Sequence, residues 1–184
     1  SADKPDIAVG RIPVVNDAQA KVVVDKIVAY NTNHNAGDWQ NTIFFMGDDG
    51  NENLHMQDVE DAATMVEGIN PAYYIKKVMW DAFNRVNSAQ GATYPDVSKI
   101  IKQQQAQGAL IMDYVGHGVE YQISHENVLR LSDFTSFNNK NLPLWITASC
   151  DIMPFDGTVA NIGESALLNP NGGAVAFFGT TRTV

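Results

Sequence analysis

One cysteine and one histidine each follow directly after a predicted strand of this chain. His117 lies in the segment DYVGHG at positions 113–118, and Cys150 closes the segment WITASC at positions 145–150. Parallel strands bring their carboxyl ends to one edge of a sheet, so the two side chains converge if their strands are neighbours. An imidazole beside a thiol accepts its proton or stabilises the thiolate, which then attacks a carbonyl carbon. The pair predicts acyl-transfer chemistry with Cys150 as nucleophile and His117 as base.

Such chemistry also needs donors for the oxyanion that forms at the attacked carbonyl. Gly118 has no side chain, so a carbonyl oxygen can approach its backbone N–H closely. The backbone N–H of Cys150 is the natural second donor. Loss of one such donor typically costs about 3 kcal/mol of activation free energy.

The elements that must position these residues alternate between strand-like and helix-like patterns. Apolar or β-forming runs predict strands, and segments with 3.6-residue periodicity or helix-capping residues predict helices. The predicted strands are 42–46, 73–79, 109–115, 144–149 and 174–178, with a short apolar run at 7–10, and the predicted helices are 17–30, 58–67, 95–107, 131–137 and 162–168. Residues 47–54 and 88–93 read as loops. This alternation is typical of an α/β fold with a mainly parallel sheet flanked by helices.

Composition limits the function classes. The chain has 184 residues, 45% of them hydrophobic, which suffices for one globular domain. Its net charge of −9, with no cluster of Lys and Arg, argues against nucleic-acid binding. Its one cysteine excludes an internal disulfide. No apolar run reaches the roughly 18 residues of a membrane helix. Residues 1–5 do not form a signal peptide, and without an initiator Met we expect an excised fragment.

Short motifs in consistent order along nearly the whole chain resemble those of the gingipain-type (C25) cysteine peptidases, in the caspase-like clan. The matching segments are VGRIPV (9–14), KIVAY (26–30), FMGDDG (45–50), YVGHG (114–118), ASC (148–150), GESA (163–166) and GGAVAFFGTT (172–181). The resemblance implies a caspase/gingipain-like three-layer sandwich. It also implies that residues 1–184 are a single partial domain, the C-terminal portion of a catalytic domain. The isolated fragment is then expected to be inactive or poorly folded at its ends.

Within the family, the chain is most similar to the type IX secretion sortase group (PorU-like). That similarity implies a protein exported to the outer membrane or cell surface of a Bacteroidetes-type bacterium. Its substrates would be secreted proteins with C-terminal sorting signals. The acyl group would pass to water or to an amine on lipopolysaccharide, and no cofactor would be needed.

The resemblance also suggests secondary site residues. Asp49 is similar to the acidic residue that orients the catalytic histidine. His55 and Ser149 are candidates for the substrate pocket; His55 stands where Arg-specific members carry an acid, so Arg specificity is not expected. The 47–53 loop is rich in oxygen ligands, with Asp48, Asp49 and Asn51 as calcium candidates. It lacks EF-hand spacing, so no metal is assigned and a structural calcium stays open.

Two other interpretations stay open. A lone cysteine after a buried strand is often a core thiol, and the chain would then be a non-catalytic binding or assembly module on the same fold. Another thioester enzyme, such as a transglutaminase-like acyl transferase, is the second, although the order of His before Cys favours the caspase-like arrangement. His125 shows no evident partner in the sequence and is predicted to be a surface residue.

Overall fold

A computed structural model describes residue 7 and residues 9–89 and 91–184. Part of the apolar run at 7–10 and the N-terminal residues 1–6 therefore lie outside the described residues. The described part of that run, Ile7, Val9 and Gly10, is not in a strand. No helix among the described residues is long and apolar enough to cross a membrane.

The described residues form ten strands and five α-helices. The strands are β1 (Thr42–Gly47), β2 (Tyr74–Met79), β3 (Val86–Ser88), β4 (Gly91–Thr93), β5 (Ile111–Val115), β6 (Gly118–Val119), β7 (Gln122–Ile123), β8 (Leu129–Arg130), β9 (Leu144–Ala148) and β10 (Ala176–Phe178). The helices are α1 (Asp17–Thr32), α2 (Leu54–Ile69), α3 (Pro95–Gln107), α4 (Leu131–Ser136) and α5 (Ile162–Leu168). Short 3₁₀ turns occupy Asp38–Asn41, Asn51–Asn53 and Trp80–Ala82.

Five strands build the central sheet in the order β10-β9-β5-β1-β2, and every neighbouring pair is parallel. All six residues of β1 are buried, as expected for a central strand whose two faces are both covered. The predicted α/β class with a mainly parallel sheet is confirmed.

Helices cover the two faces of the sheet unequally. A large core, which includes Trp80, Trp145 and Phe134, joins one face to α3, α4 and α5. A smaller core of Ile43, Phe45, Val59 and Ala63 joins the other face to α2. The result is three layers, with the chemistry-bearing loops at the carboxyl ends of the strands.

Local signals begin and end most helices where the sequence predicts. The Asn16 side chain accepts the backbone N–H of Gln19 at the start of α1, and Asn161 does the same for Glu164 at the start of α5. Pro95 occupies the first turn of α3, where its missing N–H costs nothing. These contacts satisfy backbone groups that helix ends leave without partners.

Two predictions differ from the structure by more than the one or two residues usual at element ends. Helix α2 begins at Leu54 rather than at residue 58, because Asn51, Glu52 and Asn53 take positive φ angles and lead through a 3₁₀ turn directly into it. His55 therefore lies in a first helical turn, not in a loop. The predicted loop at 88–93 contains β4, which pairs with β3 as a hairpin.

One buried lysine fastens α1 to the rest of the molecule. Lys26 Nζ donates to the carbonyl oxygens of Ala166 at 3.1 Å, Leu167 at 2.8 Å and Ala174 at 3.4 Å. Two of these carbonyls belong to the last turn of α5, which has no intrahelical partners for them. Burial lowers the pKa of Lys26 to about 8, so the three carbonyls offset a real desolvation cost.

Asp113 lies in the middle of β5, on the face that α2 covers. The residues paired with it on the neighbouring strands, Phe45 and Ile146, are apolar. Burial raises the pKa of Asp113 to about 6, because the charged form loses hydration.

Candidate active site

Strand register brings the two sequence-predicted reactive residues to one edge of the sheet. β5 and β9 are adjacent, and Val115 pairs with Ala148 at their carboxyl ends. His117 and Cys150 each follow two positions after this pair. Neighbouring strands lie about 4.8 Å apart, so the backbones that carry the imidazole and the thiol leave the sheet side by side.

A buried carboxylate organises the loop that carries the histidine. Asp48 is 1% exposed and follows directly after β1. Its Oδ2 accepts the backbone N–H of His117 at 2.7 Å and lies 3.0 Å from the Tyr114 hydroxyl. Its Oδ1 accepts the N–H of Gly50 at 3.0 Å and a very short hydrogen bond from His55 Nδ1. A carboxylate offers about four acceptor positions, and all four are used here.

Tyr114 contributes a second fixed donor beneath the same turn. Its hydroxyl lies 2.7 Å from the His117 carbonyl as well as near Asp48. Burial, together with the negative charge of Asp48, raises the pKa of Tyr114 well above its ordinary value. The phenol therefore keeps its proton, which it can donate to Asp48 or to the His117 carbonyl.

The His117 ring is enclosed by three neighbours from three different segments. The His55 ring meets it edge-on, with centroids 4.9 Å apart and planes at 83°. The His125 ring stacks on it, with centroids 4.3 Å apart and planes at 13°. Gly50 lies so close that a Cβ there would be 2.7 Å from Cδ2 and 2.8 Å from Nε2 of His117. Only glycine leaves room for the ring at that position.

Cys150 is half-buried and lies beside residues 180–184. Its Sγ is 3.4 Å from the Val184 carbonyl oxygen, and no hydrogen bond joins it to His117 among the described residues. The loop after Cys150 pairs with this segment: Asp151 N–H donates to Arg182 O at 3.2 Å and Met153 N–H to Thr180 O at 2.9 Å. Catalytic hydrogen bonds are often long before substrate binds.

Within the described residues, neither of the two candidate oxyanion donors is used by the fold. Ser124 N–H donates to His117 O at 2.8 Å, which makes Gly118 and Ile123 a non-hydrogen-bonded pair of the β6–β7 ladder. The Gly118 N–H consequently points away from β7. The Cys150 N–H donates to no acceptor in the part of the chain that the structure describes. Both N–H groups are therefore free to donate to a ligand.

Ser149 is buried beneath Gly118. It is 2% exposed, and its hydroxyl has no hydrogen-bond partner in the described part of the chain. A Cβ at Gly118 would overlap the Ser149 Oγ and lie 2.6 Å from Ile152 Cδ1. The close packing explains why glycine follows His117, and the role of Ser149 in the substrate pocket stays a prediction.

Among the described residues, no hydrogen bond joins Asp49 to His117. The Asp49 carboxylate accepts the Tyr94 hydroxyl at 2.6 Å, and burial and this contact both raise the pKa of Tyr94. Its assignment as the acid that orients His117 stays a prediction. The neighbouring Asp48 makes the contacts to the histidine loop, a role that the sequence interpretation did not give it.

Two of the three calcium candidates, Asp48 and Asp49, already accept hydrogen bonds from protein donors. Asp48 accepts four hydrogen bonds and Asp49 accepts one, while the Asn51 amide lies 3.0 Å from His55 Nε2. Among the described residues, no group of three or more His, Cys, Asp or Glu side chains is arranged to hold a metal ion. The structural calcium stays untested.

His125 corrects a further expectation. It is exposed, as predicted, but it has a partner, because its ring stacks on His117. The positive φ of Ser124 and of Asn127 bends the short loop that presents it. Nothing in the sequence around a single loop histidine signals this contact.

The fold and site define an α/β protein of the gingipain/caspase-like class, with a thiol and an imidazole after adjacent strands. The model of peptidase family C25 matches residues 1–184, and the chain belongs to this family. No curated protein matches the chain.

Solved structures show the same fold at low sequence identity. The crystal structure of the Arg-specific cysteine proteinase gingipain R (RgpB) matches with a TM-score of 0.74 and 16% identity, over 95% of this chain and 40% of that one. A structure described as a protease matches at 0.71 and 17%, over 92% and 35%. The complex of Porphyromonas gingivalis RgpB pro- and mature domains matches at 0.70 and 15%, over 97% and 41%. This chain thus spans well under half of each of these proteins.

Proposed function

We propose that the protein containing this chain is a cysteine endopeptidase or transpeptidase that acts through Cys150 and His117. The observation that carries the proposal is the register of β5 and β9, which sends both residues from one edge of the sheet. The free N–H groups of Gly118 and Cys150 support it, because a thiol enzyme needs donors at that place.

The proposed reaction runs through a thioester. His117 takes the thiol proton, and the Cys150 thiolate attacks the peptide carbonyl carbon. The oxyanion that forms accepts hydrogen bonds from the N–H groups of Gly118 and Cys150. The C–N bond breaks, the imidazolium gives its proton to the leaving amine, and the acyl group remains on sulfur. Water or an amine then loses a proton to His117 as it attacks the thioester, which releases the thiol.

The sortase-like form of this reaction is the finer part of the proposal. The substrates are secreted proteins cleaved before a C-terminal sorting signal, and the acyl group passes to water or to an amine on lipopolysaccharide. The site of action is the outer membrane or cell surface after export. The resemblance of the motifs to the type IX secretion sortase group supports this form.

Thiol reactivity tests the core of the proposal without a known substrate. We expect iodoacetamide to label Cys150 of the complete protein at neutral pH faster than it labels a model thiol. We expect His117→Ala to slow that labelling, because the imidazole no longer stabilises the thiolate. Mass spectrometry of the peptide that carries Cys150 gives the rate at this residue alone. Equal rates in the two proteins would contradict the proposal.

A substrate assay tests the finer part. The complete protein should release C-terminal segments from a candidate secreted substrate, and Cys150→Ala should not. Addition of a soluble primary amine should divert the product from the free acid to the amide, because both outcomes share one thioester. Free acid alone at every amine concentration would leave a peptidase and rule out transfer.

One observation favours a rival, a non-catalytic binding or assembly module. The Cys150 thiol contacts the Val184 carbonyl and not an imidazole nitrogen of the described residues. The rival predicts an unreactive thiol and a partner affinity that Cys150→Ser leaves unchanged. Rapid labelling that depends on His117 would exclude it.

A further inference from the structure

Packing rather than hydrogen bonding orients the His117 ring. Its backbone is fixed by Asp48 and Tyr114, but neither ring nitrogen donates to or accepts from any residue that the structure describes. The ring instead lies among His55, His125 and Gly50. The direction in which it presents its nitrogens therefore depends on how firmly those neighbours are held.

His55 is the neighbour with an aromatic surface and a fixed position. Its side chain is 12% exposed, and its Nδ1 donates to the buried Asp48, which only accepts. Its Nε2 lies 3.0 Å from the Asn51 amide. His125, on the opposite side of the His117 ring, is exposed. Because both nitrogens of the His55 ring are held, this ring sets the orientation of the His117 ring. The exposed His125 ring adapts to the His117 ring.

Asp48 connects the two histidines, through the backbone N–H of His117 and through the ring of His55. One of its oxygens binds the His117 backbone and the other binds the His55 ring. The Asp48 carboxylate thus fixes the position of the His117 backbone and the position of the His55 ring that packs against the His117 ring. Edge-to-face ring pairs are favourable beyond the area they bury, so the contact favours one orientation of the His117 ring.

We propose that His55 is a positioning residue for His117: its ring, anchored by Asp48, packs edge-on against the His117 imidazole and holds it toward Cys150. This inference rests on the proposed use of His117 as the base. It gives His55 a task in the activation of the thiol, distinct from the substrate-pocket role that the sequence suggests.

The expected effect is a loss of thiol activation without loss of fold. Removing the His55 ring lets the His117 ring rotate, so its nitrogen faces Cys150 for a smaller fraction of the time. A 1 Å misplacement of a catalytic group can cost about 100-fold in rate. Because the His117 backbone stays fixed, we expect His55→Ala to slow Cys150 labelling by about 10-fold.

Two substitutions separate the ring from the hydrogen bond. His55→Asn keeps a donor near the position of Nδ1 for Asp48 but has no ring. His55→Phe keeps the ring edge but has no donor. Labelling of Cys150 in the complete protein is measured for both and for His55→Ala, with near-UV circular dichroism to show that each is folded. His34→Ala, which changes an exposed histidine outside the site, is the matched control and should label at the wild-type rate.

The proposal expects His55→Phe to recover to within about 3-fold of the wild-type rate and His55→Asn to stay as slow as His55→Ala. If Asn recovers the rate and Phe does not, the hydrogen bond to Asp48 matters rather than ring packing, and the proposal is wrong. Wild-type rates in all three His55 variants would also overturn it. His117→Ala distinguishes failure of the positioning role from failure of the proposed catalytic pair. If His117→Ala slows labelling while the His55 variants do not, only the positioning role of His55 is wrong. If His117→Ala has no effect, the pairing of Cys150 with His117 is itself wrong.

Discussion

The replacement Asp48→Asn tests whether one carboxylate holds the site together. The side chain keeps its shape but exchanges one acceptor oxygen for an NH₂ donor. Two of its four donors can adapt: the Tyr114 hydroxyl can turn to the His117 carbonyl 2.7 Å away, and the His55 ring can change its tautomer. The backbone N–H groups of Gly50 and His117 cannot adapt. Whichever way the amide faces, one of them is left against a donor.

The loss of stability follows from the one backbone N–H that is left without an acceptor. A buried donor without an acceptor costs about 1–3 kcal/mol, and the surviving bonds lose the extra strength that the charge gives them. We therefore expect Asp48→Asn to lower the free energy of unfolding by about 2–4 kcal/mol. Urea denaturation followed by tryptophan fluorescence measures the change.

The adjacent carboxylate is the matched control. Among the described residues, Asp49 accepts one hydrogen bond, from the Tyr94 hydroxyl, and an amide oxygen can still accept it. Asp49→Asn should therefore cost under about 1 kcal/mol. An Asp48→Asn protein as stable as the wild type, or an equal loss in the two variants, would refute the reasoning.

Three further predictions concern single side chains. Asp113→Asn should raise the free energy of unfolding at pH 7 by at most about 3 kcal/mol, because the carboxyl ionises only above a pKa of about 6 in the folded protein and near 3.8 when unfolded. The free energy of unfolding of the wild type should accordingly fall as the pH rises from about 4 to about 6. The stability gained by Asp113→Asn should vanish at pH 4. A gain of equal size at pH 4 and at pH 7 would contradict this. Ser149→Ala should be neutral or stabilising, since its hydroxyl has no partner among the residues that the structure describes. Gly118→Ala should cost about 1–3 kcal/mol, because the added Cβ overlaps the Ser149 hydroxyl. A double-mutant cycle in denaturant should show the combined variant recovering part of that cost, and strict additivity would argue against the overlap. Lys26→Met should cost about 2–3 kcal/mol by thermal or chemical denaturation, because the buried carbonyls of Leu167 and Ala174 lose the Lys26 donor. The Ala166 carbonyl keeps the Ala174 N–H. Lys21→Met, at an exposed ion pair, should stay within about 0.5 kcal/mol.

The sheet was predictable because its strands carry strong signals. β1, β5 and β9 are apolar runs bounded by polar or glycine-rich loops, and helices of ordinary length separate them. From that alternation follow parallel pairing and a shared carboxyl edge. The adjacency of β5 and β9, on which the convergence of His117 and Cys150 depends, was stated as a condition and is confirmed.

The elements that escaped prediction are those made by tertiary contacts or by very few residues. β6, β7 and β8 contain two residues each, too few for a periodic pattern. Helix α2 begins after Asn53, whose φ is 70° and whose side chain makes no capping bond. The usual N-terminal signal is therefore missing.

The identity of the anchoring acid was beyond reach for a related reason. Asp48 and Asp49 are the same residue type in adjacent positions, so composition and spacing cannot rank them. Their difference arises from Tyr114 and His117, which approach Asp48 from β5 and the turn beyond it. Only the folded chain brings donors from those distant positions to one of the two carboxylates.

The pairing of residues 180–184 with the loop after Cys150 has a consequence for regulation. Asp151 and Met153 donate their N–H groups to Arg182 and Thr180, so the backbone of the nucleophile loop is partly defined by a segment that follows β10. Whatever binds or displaces that segment changes the free energy of the thiol's own conformation, and by reciprocity a modified thiol changes the affinity for that binder. Binding of a ligand to residues 180–184 and the reactivity of the Cys150 thiol are therefore thermodynamically linked.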